Sequence, residues 1–238
     1  MNRKKVLLVQ NIARESGGLI EDVLKENNIQ FDVANLDQGD KFPKPANYSA
    51  IFVFGGPDSA NDKTPKMQEE LKRIKEAIKA KIPYFGVCLG VQALVKTIGG
   101  KVYKNPIKEI GWRDPKGEYF EIELTDEGKK DPIFKGIKSQ MKIFQLHGET
   151  VNLKNGMTLL ATGKYCKNQV VKIGKNAYGF QGHLGLNKPM FKRWVAEDSD
   201  LKLINAKSLI EDYKKIKSEY EMNGRTILNN FLELASLR

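Results

Sequence analysis

Two cysteines and two histidines carry most of the reactive chemistry that this sequence offers. Cys88 stands between two glycines in Gly86-Val87-Cys88-Leu89-Gly90, after an apolar segment and before a helical one. A thiol in this position has the spacing of a nucleophile elbow, in which small neighbours allow a strained strand-to-helix turn to close. The start of a helix and a nearby imidazole both favour the reactive thiolate. We therefore expect Cys88 to be a nucleophile, with a buried core cysteine as the alternative.

The two histidines, His147 and His183, follow Cys88 in the sequence and lie at or near the ends of predicted strands. Gly179-Phe180-Gln181-Gly182-His183 is typical of a strand followed by a loop. If this strand is parallel to the strand before Cys88, His183 reaches the same edge of the sheet as the thiol. Each histidine is thus a candidate base, and a structural hydrogen-bonding role is the alternative for each.

The elements that must position these residues alternate between buried strands and amphipathic helices. Strands are predicted near residues 6–9, 31–33, 50–54 and 82–87, and helices near 19–24, 66–79 and 91–98. This alternation predicts an α/β fold of the flavodoxin-like kind, with a mostly parallel central sheet flanked by helices.

The second half of the sequence has a different pattern. Residues 119–124 alternate between polar and apolar types, and shorter strands are predicted near 143–144, 159–160, 170–171 and 178–180, which favours antiparallel additions to the sheet. Two amphipathic helices are predicted after residue 201, separated at Asn223-Gly224. We expect one domain over residues 1–200 and a C-terminal helical tail over 201–238 that packs back on it, with a docking surface as the alternative.

Composition excludes several classes of partner. The chain has 238 residues and a formal charge of +11, but its lysines are scattered and no cluster interleaves arginines with aromatic residues, so we expect no nucleic-acid partner. No run of about 18 apolar residues occurs, so we expect no membrane span and a cytoplasmic location. Two distant cysteines fit a reducing compartment. No cluster of Cys, His and acidic residues has metal-ligand spacing, so we expect no metal and no cofactor.

Five segments, taken in order, resemble the class I glutamine amidotransferases, and above all stand-alone proteins similar to the amidotransferase domain of GMP synthase. The resemblance covers about residues 5–196, and the cysteine segment followed by Gln92 is its most specific part. The segments are Phe54-Gly55-Gly56-Pro57, Gly86-Val87-Cys88-Leu89-Gly90-Val91-Gln92, Glu109-Ile110-Gly111-Trp112, Gln145-Leu146-His147-Gly148-Glu149 and Phe180-Gln181-Gly182-His183.

The resemblance implies a catalytic role for four of these residues. Cys88 would attack the side-chain amide carbon of glutamine, and His183 would take the thiol proton and give it to the departing ammonia. Backbone N–H groups of Gly56 and Leu89 would hold the tetrahedral oxyanion. Water would then release glutamate from the thioester.

The resemblance also implies which residues bind the substrate. Gln92 matches a residue that helps to hold glutamine. The segment that contains Gln145 and His147 matches one that contacts the α-amino and carboxylate end of glutamine, partly through its backbone.

The sequence departs from the family pattern at the residues that follow His183. A carboxylate usually stands two residues after the catalytic histidine, but here that position is Gly185, so the acid that orients the imidazole is absent. Three outcomes stay open: a Cys–His dyad, a triad completed by another acid, or a degenerate domain. By its motif Glu149 is a candidate for the missing acid, although the matching residue in the family has a different role. Leu146 is a milder departure, since related proteins often carry an aromatic residue there.

Three functions follow from these observations. The first is glutamine hydrolysis, with ammonia passed to a synthetase or other acceptor on a separate chain, because this sequence contains no Gly-x-x-x-x-Gly-Lys-Ser/Thr nucleotide loop. The second is hydrolysis of another γ-glutamyl amide or peptide by the same thiol. The third is a partner-binding or ligand-sensing module that has lost catalysis together with the acid.

Overall fold

A computed structural model describes residues 5–238, so the first four residues of the predicted domain lie outside the described part. The strands within that part are β1 (Val6–Gln10), β2 (Phe31–Asn35), β3 (Ala50–Val53), β4 (Tyr84–Val87), β5 (Lys101–Gly111), β6 (Glu121–Leu124), β7 (Gln140–Lys142), β8 (Gln145–Asn152), β9 (Met157–Gly163), β10 (Val170–Ile173) and β11 (Ala177–Phe180). The helices are α1 (Leu19–Glu26), α2 (Pro65–Lys79), α3 (Leu89–Thr97), α4 (Asp126–Lys130), α5 (Lys188–Glu197) and α6 (Ala206–Leu234).

The central sheet confirms the predicted flavodoxin-like architecture. Its strand order is β2-β1-β3-β4-β11-β10-β9-β6-β7, and the first five strands in this order are parallel to one another. β11 pairs with β4 so that Phe180 lies beside Val87. The loops that carry Cys88 and His183 therefore leave the sheet side by side, as the parallel arrangement predicts.

The remaining strands of the sheet are antiparallel additions, as predicted. β10, β9, β6 and β7 continue the sheet, while β5 and β8 form a separate antiparallel pair. The strand predicted at residues 143–144 is wrong, because Phe144 makes only an isolated backbone bridge to His183. β5 was not predicted, since most of its side chains are exposed and its register shifts between Lys104 and Glu109.

The two faces of the sheet are covered by different helices, and β1 shows the division. Val6 and Leu8 face a core shared with α1 and α6, whereas Leu7 and Val9 face a core shared with α2 and α3. All four side chains are completely buried. This burial on both faces explains why the strand reads as a continuous apolar run. None of the helices within residues 5–238 is long and apolar enough to cross a bilayer.

The C-terminal segment forms one long helix, so the prediction of two helices is wrong. α6 runs without a break from Ala206 to Leu234 and passes through Asn223 and Gly224. Its Phe231 ring packs in the core with centroids 5.2 Å from those of Phe52 and Phe85. The glycine serves close packing instead of ending the helix, because a Cβ atom at residue 224 would lie 2.4 Å from the carbonyl oxygen of Leu184.

Replacement of Gly224 by alanine tests this close approach. A Gly-to-Ala change inside a helix ordinarily stabilises it by about 1 kcal/mol. Here the added methyl group collides with rigid backbone, and we expect Gly224→Ala to lower the free energy of unfolding by about 1–3 kcal/mol in urea titrations. Ser218→Ala, at an exposed position of the same helix, is the control and should be neutral or slightly stabilising. A more stable Gly224→Ala protein would contradict the contact.

A fully buried carboxyl group lies between α2 and the loop after β1. Glu70 is 0 % exposed, and Asn11 Nδ2 donates to its Oε1 at 3.0 Å. Glu70 Oε2 and Asn11 Oδ1 both lack a hydrogen-bond partner within the described chain. Burial raises the pKa of Glu70 to about 7, although the hydrogen bond from Asn11 opposes the shift. A protonated Glu70 carboxyl group supplies the hydrogen-bond donor that Glu70 and Asn11 otherwise lack.

Glu70 makes folding stability depend on pH in a defined window. The pKa of Glu70 is about 7 in the fold and 4.5 for a glutamate in the unfolded chain, so the folded state holds the extra proton and stability falls as pH rises through this interval. Full ionisation costs on the order of 3 kcal/mol. We expect Glu70→Gln, whose amide can donate permanently, to match wild type near pH 4.5 and to be more stable at pH 8.5 in urea titrations. An identical stability difference at both pH values would contradict a protonated Glu70.

Candidate active site

A cleft of about 740 Å³ opens at the carboxyl edge of the parallel strands and contains Cys88. Its walls come from the loops after β1, β3 and β11, the start of α3, the irregular part of β5, residues 146–149 of β8, Trp194 of α5 and residues 198–200. The cleft includes the loops after β1 and β3, the neighbouring strands at which the strand order reverses. Ligands of open α/β sheets bind at such a point.

Cys88 has the backbone geometry of a nucleophile elbow. Its φ is 51° and its ψ is −107°, and it immediately precedes the first residue of α3. A non-glycine residue with positive φ is strained, and such strain collects at functional sites. The turn closes only with glycine at position 90, because a Cβ atom there would lie 2.2 Å from the carbonyl oxygen of Val53. The thiol is 3.8 Å from the Leu146 carbonyl oxygen, to which it can donate.

His183 is buried at the beginning of the loop after β11. Its N–H donates to the carbonyl oxygen of Phe144 at 2.7 Å, and its carbonyl oxygen accepts from the Tyr220 hydroxyl at 2.7 Å. The ring of Trp194 meets the imidazole edge to face, with centroids 4.8 Å apart. The backbone and the ring plane of His183 are thus fixed independently.

The environment of His183 favours its protonated form. Burial alone lowers the pKa of the imidazole, but the neighbouring Cys88 thiol and Glu15 carboxylate favour the protonated ring, outweigh burial and raise the pKa to about 10. His183 Nε2 has no hydrogen-bond partner within residues 5–238. The arrangement suits an imidazolium beside a thiolate, which is the reactive pair of cysteine hydrolases.

Gly56 and Leu89, the two residues expected to hold the oxyanion, lie close to Cys88. Gly56 follows β3 and lines the cleft, and Leu89 is the first residue of α3, directly after Cys88. In the described part of the chain neither backbone N–H donates to a protein acceptor. Free N–H groups at a helix start and a tight turn can stabilise a developing negative charge.

Gln92 lines the cleft, one helical turn beyond Cys88. Its Nε2 donates to the carbonyl oxygen of Glu149 at 3.2 Å. The Glu149 carboxylate accepts from the Ser59 hydroxyl at 2.7 Å and makes no ion pair with His183. Glu149 therefore does not replace the missing acid.

Gln145 and His147, the other two predicted substrate-binding residues, have different positions. Gln145 is 1 % exposed and is not part of the cleft wall. His147 lines the cleft, but its Nδ1 lies 3.0 Å from the Glu149 carbonyl oxygen and its Nε2 lies 2.7 Å from Glu109 Oε2. Both ring nitrogens are therefore engaged with protein atoms.

Folding brings together a cysteine, a histidine and a carboxylate that are far apart in sequence. Potential ligand atoms of Glu109, His147 and Cys166 all lie within 4.8 Å of one another. Hydrogen bonds already account for this cluster, since Glu109 pairs with His147 and Cys166 Sγ lies 3.1 Å from Thr150 Oγ1. Burial raises the pKa of the Cys166 thiol to about 11, which favours the protonated thiol in this hydrogen-bonded cluster.

One residue that sequence reasoning missed lies directly behind His183. Glu15, in the loop after β1, places Oε1 3.5 Å from His183 Nδ1, and both side chains are less than a tenth exposed. This distance fits an ion pair and is long for a good hydrogen bond. The sequence did contain a signal for this residue. Glu15 is an acidic residue that follows the carboxyl end of β1, a strand next to β3, and active-site groups gather at this edge of the sheet.

Comparisons with known proteins agree with this geometry. Residues 13–187 match the family model described as glutamine amidotransferase class-I. The chain is 27% identical over 186 residues to the glutamine amidotransferase-like protein YfeJ of Salmonella typhimurium, covering 76% of this chain and 75% of that protein. It is 26% identical over 191 residues to the glutamine-hydrolysing GMP synthase of Clostridium novyi, covering 79% of this chain but 34% of the synthase. The chain thus spans about a third of the length of that synthase.

Solved structures show the same relationship. A glutamine amidotransferase from Thermotoga maritima superposes with a TM-score of 0.86 at 28% identity, over 98% of this chain and 100% of the other. A glutamine amidotransferase from Methylobacillus flagellatus shares the fold with a TM-score of 0.86 at 24% identity, over 98% of this chain and 96% of the other. The family model matches most of the length of this chain, and this fold surrounds Cys88. The chain therefore belongs to the class I glutamine amidotransferases.

Proposed function

We propose that this protein hydrolyses the side-chain amide of glutamine to glutamate and ammonia through a thioester on Cys88. The observation that carries the proposal is the convergence at one cleft of a strained thiol, an imidazole with a raised pKa and two unpaired backbone N–H groups. These are the parts that acyl transfer from an amide requires.

The proposed chemistry begins with the thiolate of Cys88 and the imidazolium of His183. The sulfur attacks the amide carbon, and the negative charge that forms on oxygen is held by the N–H groups of Gly56 and Leu89. His183 gives its proton to the amide nitrogen, so the C–N bond breaks and ammonia leaves. A water molecule then loses a proton to His183 and attacks the thioester. Glutamate departs and the thiolate–imidazolium pair is restored.

We further propose that the ammonia passes to an acceptor site on a separate protein. This part of the proposal rests on the relationship to GMP synthases, which are named as glutamine-hydrolysing enzymes and extend well beyond the region matched by this chain. A synthetase or another acceptor enzyme that binds near the cleft would fill that place.

A second candidate reaction is the hydrolysis of larger γ-glutamyl amides or peptides. Its support is the size of the cleft, since about 740 Å³ falls within the range of roughly 300–1,000 Å³ that suits ligands larger than an amino acid. The thiol attacks the same γ-carbonyl group in both cases, and only the leaving amine differs.

Removal of the thiol tests the first proposal. We expect Cys88→Ala to reduce glutamate release from glutamine by about 10⁴-fold or more, because no covalent intermediate can form. Cys166→Ala is the matched control, since Cys166 is buried outside the cleft and should be dispensable for turnover. Full activity in Cys88→Ala would overturn the assignment. Lack of glutaminase activity in wild type, with Cys88 inert to iodoacetamide, would favour the partner-binding alternative.

A panel of substrates separates the two hydrolytic reactions. We expect kcat/KM for glutamine to exceed that for γ-glutamyl dipeptides by about 10-fold or more, which the measured release of glutamate from each compound would show. The reverse order would assign the site to γ-glutamyl peptides. α-Glutamyl dipeptides serve as the control, because their scissile carbonyl group is the α-carbonyl and they should not be cleaved.

A further inference from the structure

We propose that Glu15 positions His183 in place of the acid that is missing at Gly185, so that the catalytic triad is Cys88, His183 and Glu15. The proposal rests on the hydrolytic function proposed above and adds a residue to that site. Glu15 does not touch the substrate, and its role is to act through the imidazole.

The Glu15 carboxylate faces Nδ1 of His183, and the other ring nitrogen, Nε2, is the one without a partner. Glu15 Oε1 lies 3.5 Å from His183 Nδ1, while Nε2 has no hydrogen-bond partner within the described chain. An imidazolium carries a proton on both ring nitrogens, so Nδ1–H can donate to Glu15 while Nε2–H stays free for the Cys88 thiolate. A small movement of either side chain would shorten the 3.5 Å contact to a hydrogen bond, and such bonds tighten when substrate binds.

A buried carboxylate needs partners, and both partners of Glu15 belong to the active site. Glu15 is 5 % exposed, and its Oε1 accepts from the Gly55 N–H at 2.9 Å. An ionised carboxylate in such a place is costly unless it is paired and hydrogen-bonded. The imidazolium of His183 supplies the charge and Gly55 supplies the donor.

Gly55 explains how Glu15 fits behind the catalytic histidine. A Cβ atom at position 55 would lie 2.7 Å from Glu15 Oε2 and 3.2 Å from the Cβ atom of Cys88. Any side chain there would push the carboxylate away. The first glycine of the Phe54-Gly55-Gly56-Pro57 motif thus makes room for the acid, and the second offers an N–H to the oxyanion.

The loop that carries Glu15 is anchored at the preceding residue. Arg14 pairs with Asp198 at 2.5 Å, and the Arg14 carbonyl oxygen accepts from Trp194 Nε1 at 3.1 Å. Trp194 is also the residue that packs edge to face against the imidazole. Trp194 of α5 therefore contacts both the backbone next to the acid and the ring of the histidine.

A small cavity lies beside Glu15, next to the position of the missing acid. A cavity of about 20 Å³ is lined by residues that include Glu15, His183 and Gly185. A Cβ atom at Gly185 would meet nothing nearer than Ile20 Cδ1 at 3.7 Å, and the φ of Gly185 is not positive. A carboxylate could therefore be introduced at position 185 without backbone strain.

Other charged groups at the cleft are engaged elsewhere and do not replace Glu15. Lys104 lies at the exposed rim. The pairs are Arg14 with Asp198, Lys66 with Asp58, Lys108 with Asp200, and Glu149 with Ser59. Glu15 and Cys88 are thus the anionic groups that act on His183, as their effects on its pKa show.

The test compares Glu15→Gln with a double variant in which the carboxylate is moved from position 15 to position 185. Glutamine keeps the size of the side chain and can still accept from Gly55, so the fold should be retained. We expect Glu15→Gln to lower kcat by roughly 10²- to 10³-fold with little change in KM, since the imidazole loses its orienting charge. In the double variant Glu15→Gln/Gly185→Glu, a carboxylate returns behind His183 and kcat should recover by about 10-fold or more.

The pH dependence of Cys88 alkylation by iodoacetamide provides a readout that a purely structural role would not move. Without the Glu15 charge the imidazolium is less stable, so the thiolate forms at higher pH and the profile of Glu15→Gln shifts toward alkaline pH. Glu21→Gln is the control, because it removes a carboxylate at the start of the neighbouring helix α1, where Glu21 binds the Gly17 N–H and Lys25. Its kcat and profile should match wild type.

A Glu15→Gln protein with wild-type kcat and an unshifted alkylation profile would overturn the role of Glu15. This result is distinct from failure of the hydrolytic function, which would appear as wild-type protein that turns over no γ-glutamyl substrate. The alkylation profile still tests Glu15 in that case, because it requires no substrate.

Discussion

The buried imidazole of His183 can keep its proton only if negative charge lies against it, and much of the surrounding structure meets that need. Burial alone would drive the ring to its neutral form. The thiol of Cys88 and the carboxylate of Glu15 reverse this tendency and raise the pKa of the ring. The same low-polarity surroundings that penalise an isolated charge strengthen the attraction among these groups. A site of this kind depends on placing two anionic groups against one ring within a closely packed sheet edge.

Such placement requires backbone segments to approach one another closely. Gly90 lies against Val53, and Gly55 lies against both Glu15 and Cys88. Each contact leaves no room for a Cβ atom, so the glycines set the distances between the reactive groups. The cost is the strained backbone of Cys88, which the packed ends of β3, β4 and β11 hold in place.

The C-terminal helix takes part in the same construction. The Tyr220 hydroxyl donates to the carbonyl oxygen of His183 and accepts from the Leu186 N–H at 3.2 Å, bridging the two ends of the segment that follows the histidine. Gly224 lets the helix lie directly on the Leu184 carbonyl. An aromatic cluster that includes Trp112, Phe144, Phe191 and Trp194 joins this helix to α5 and to the β5–β8 pair. α6 is therefore part of the support for His183.

The sequence by itself determined the alternation of buried strands and helices, the elbow at Cys88 and the histidine that shares its edge, because these follow from local apolar patterns, glycine spacing and the rule that parallel strands end together. It also determined the family, through five ordered segments. It could not determine that Asn223-Gly224 continues a helix, since only the Leu184 carbonyl, supplied by a distant loop, shows why glycine is needed there. Nor could it show that Gln145 is buried outside the cleft wall or that His147 pairs with Glu109. The position of Glu15 behind His183 was decided by tertiary structure alone, because the two residues come from the first and the last parallel strands in the sequence and meet only when β1, β3, β4 and β11 assemble side by side.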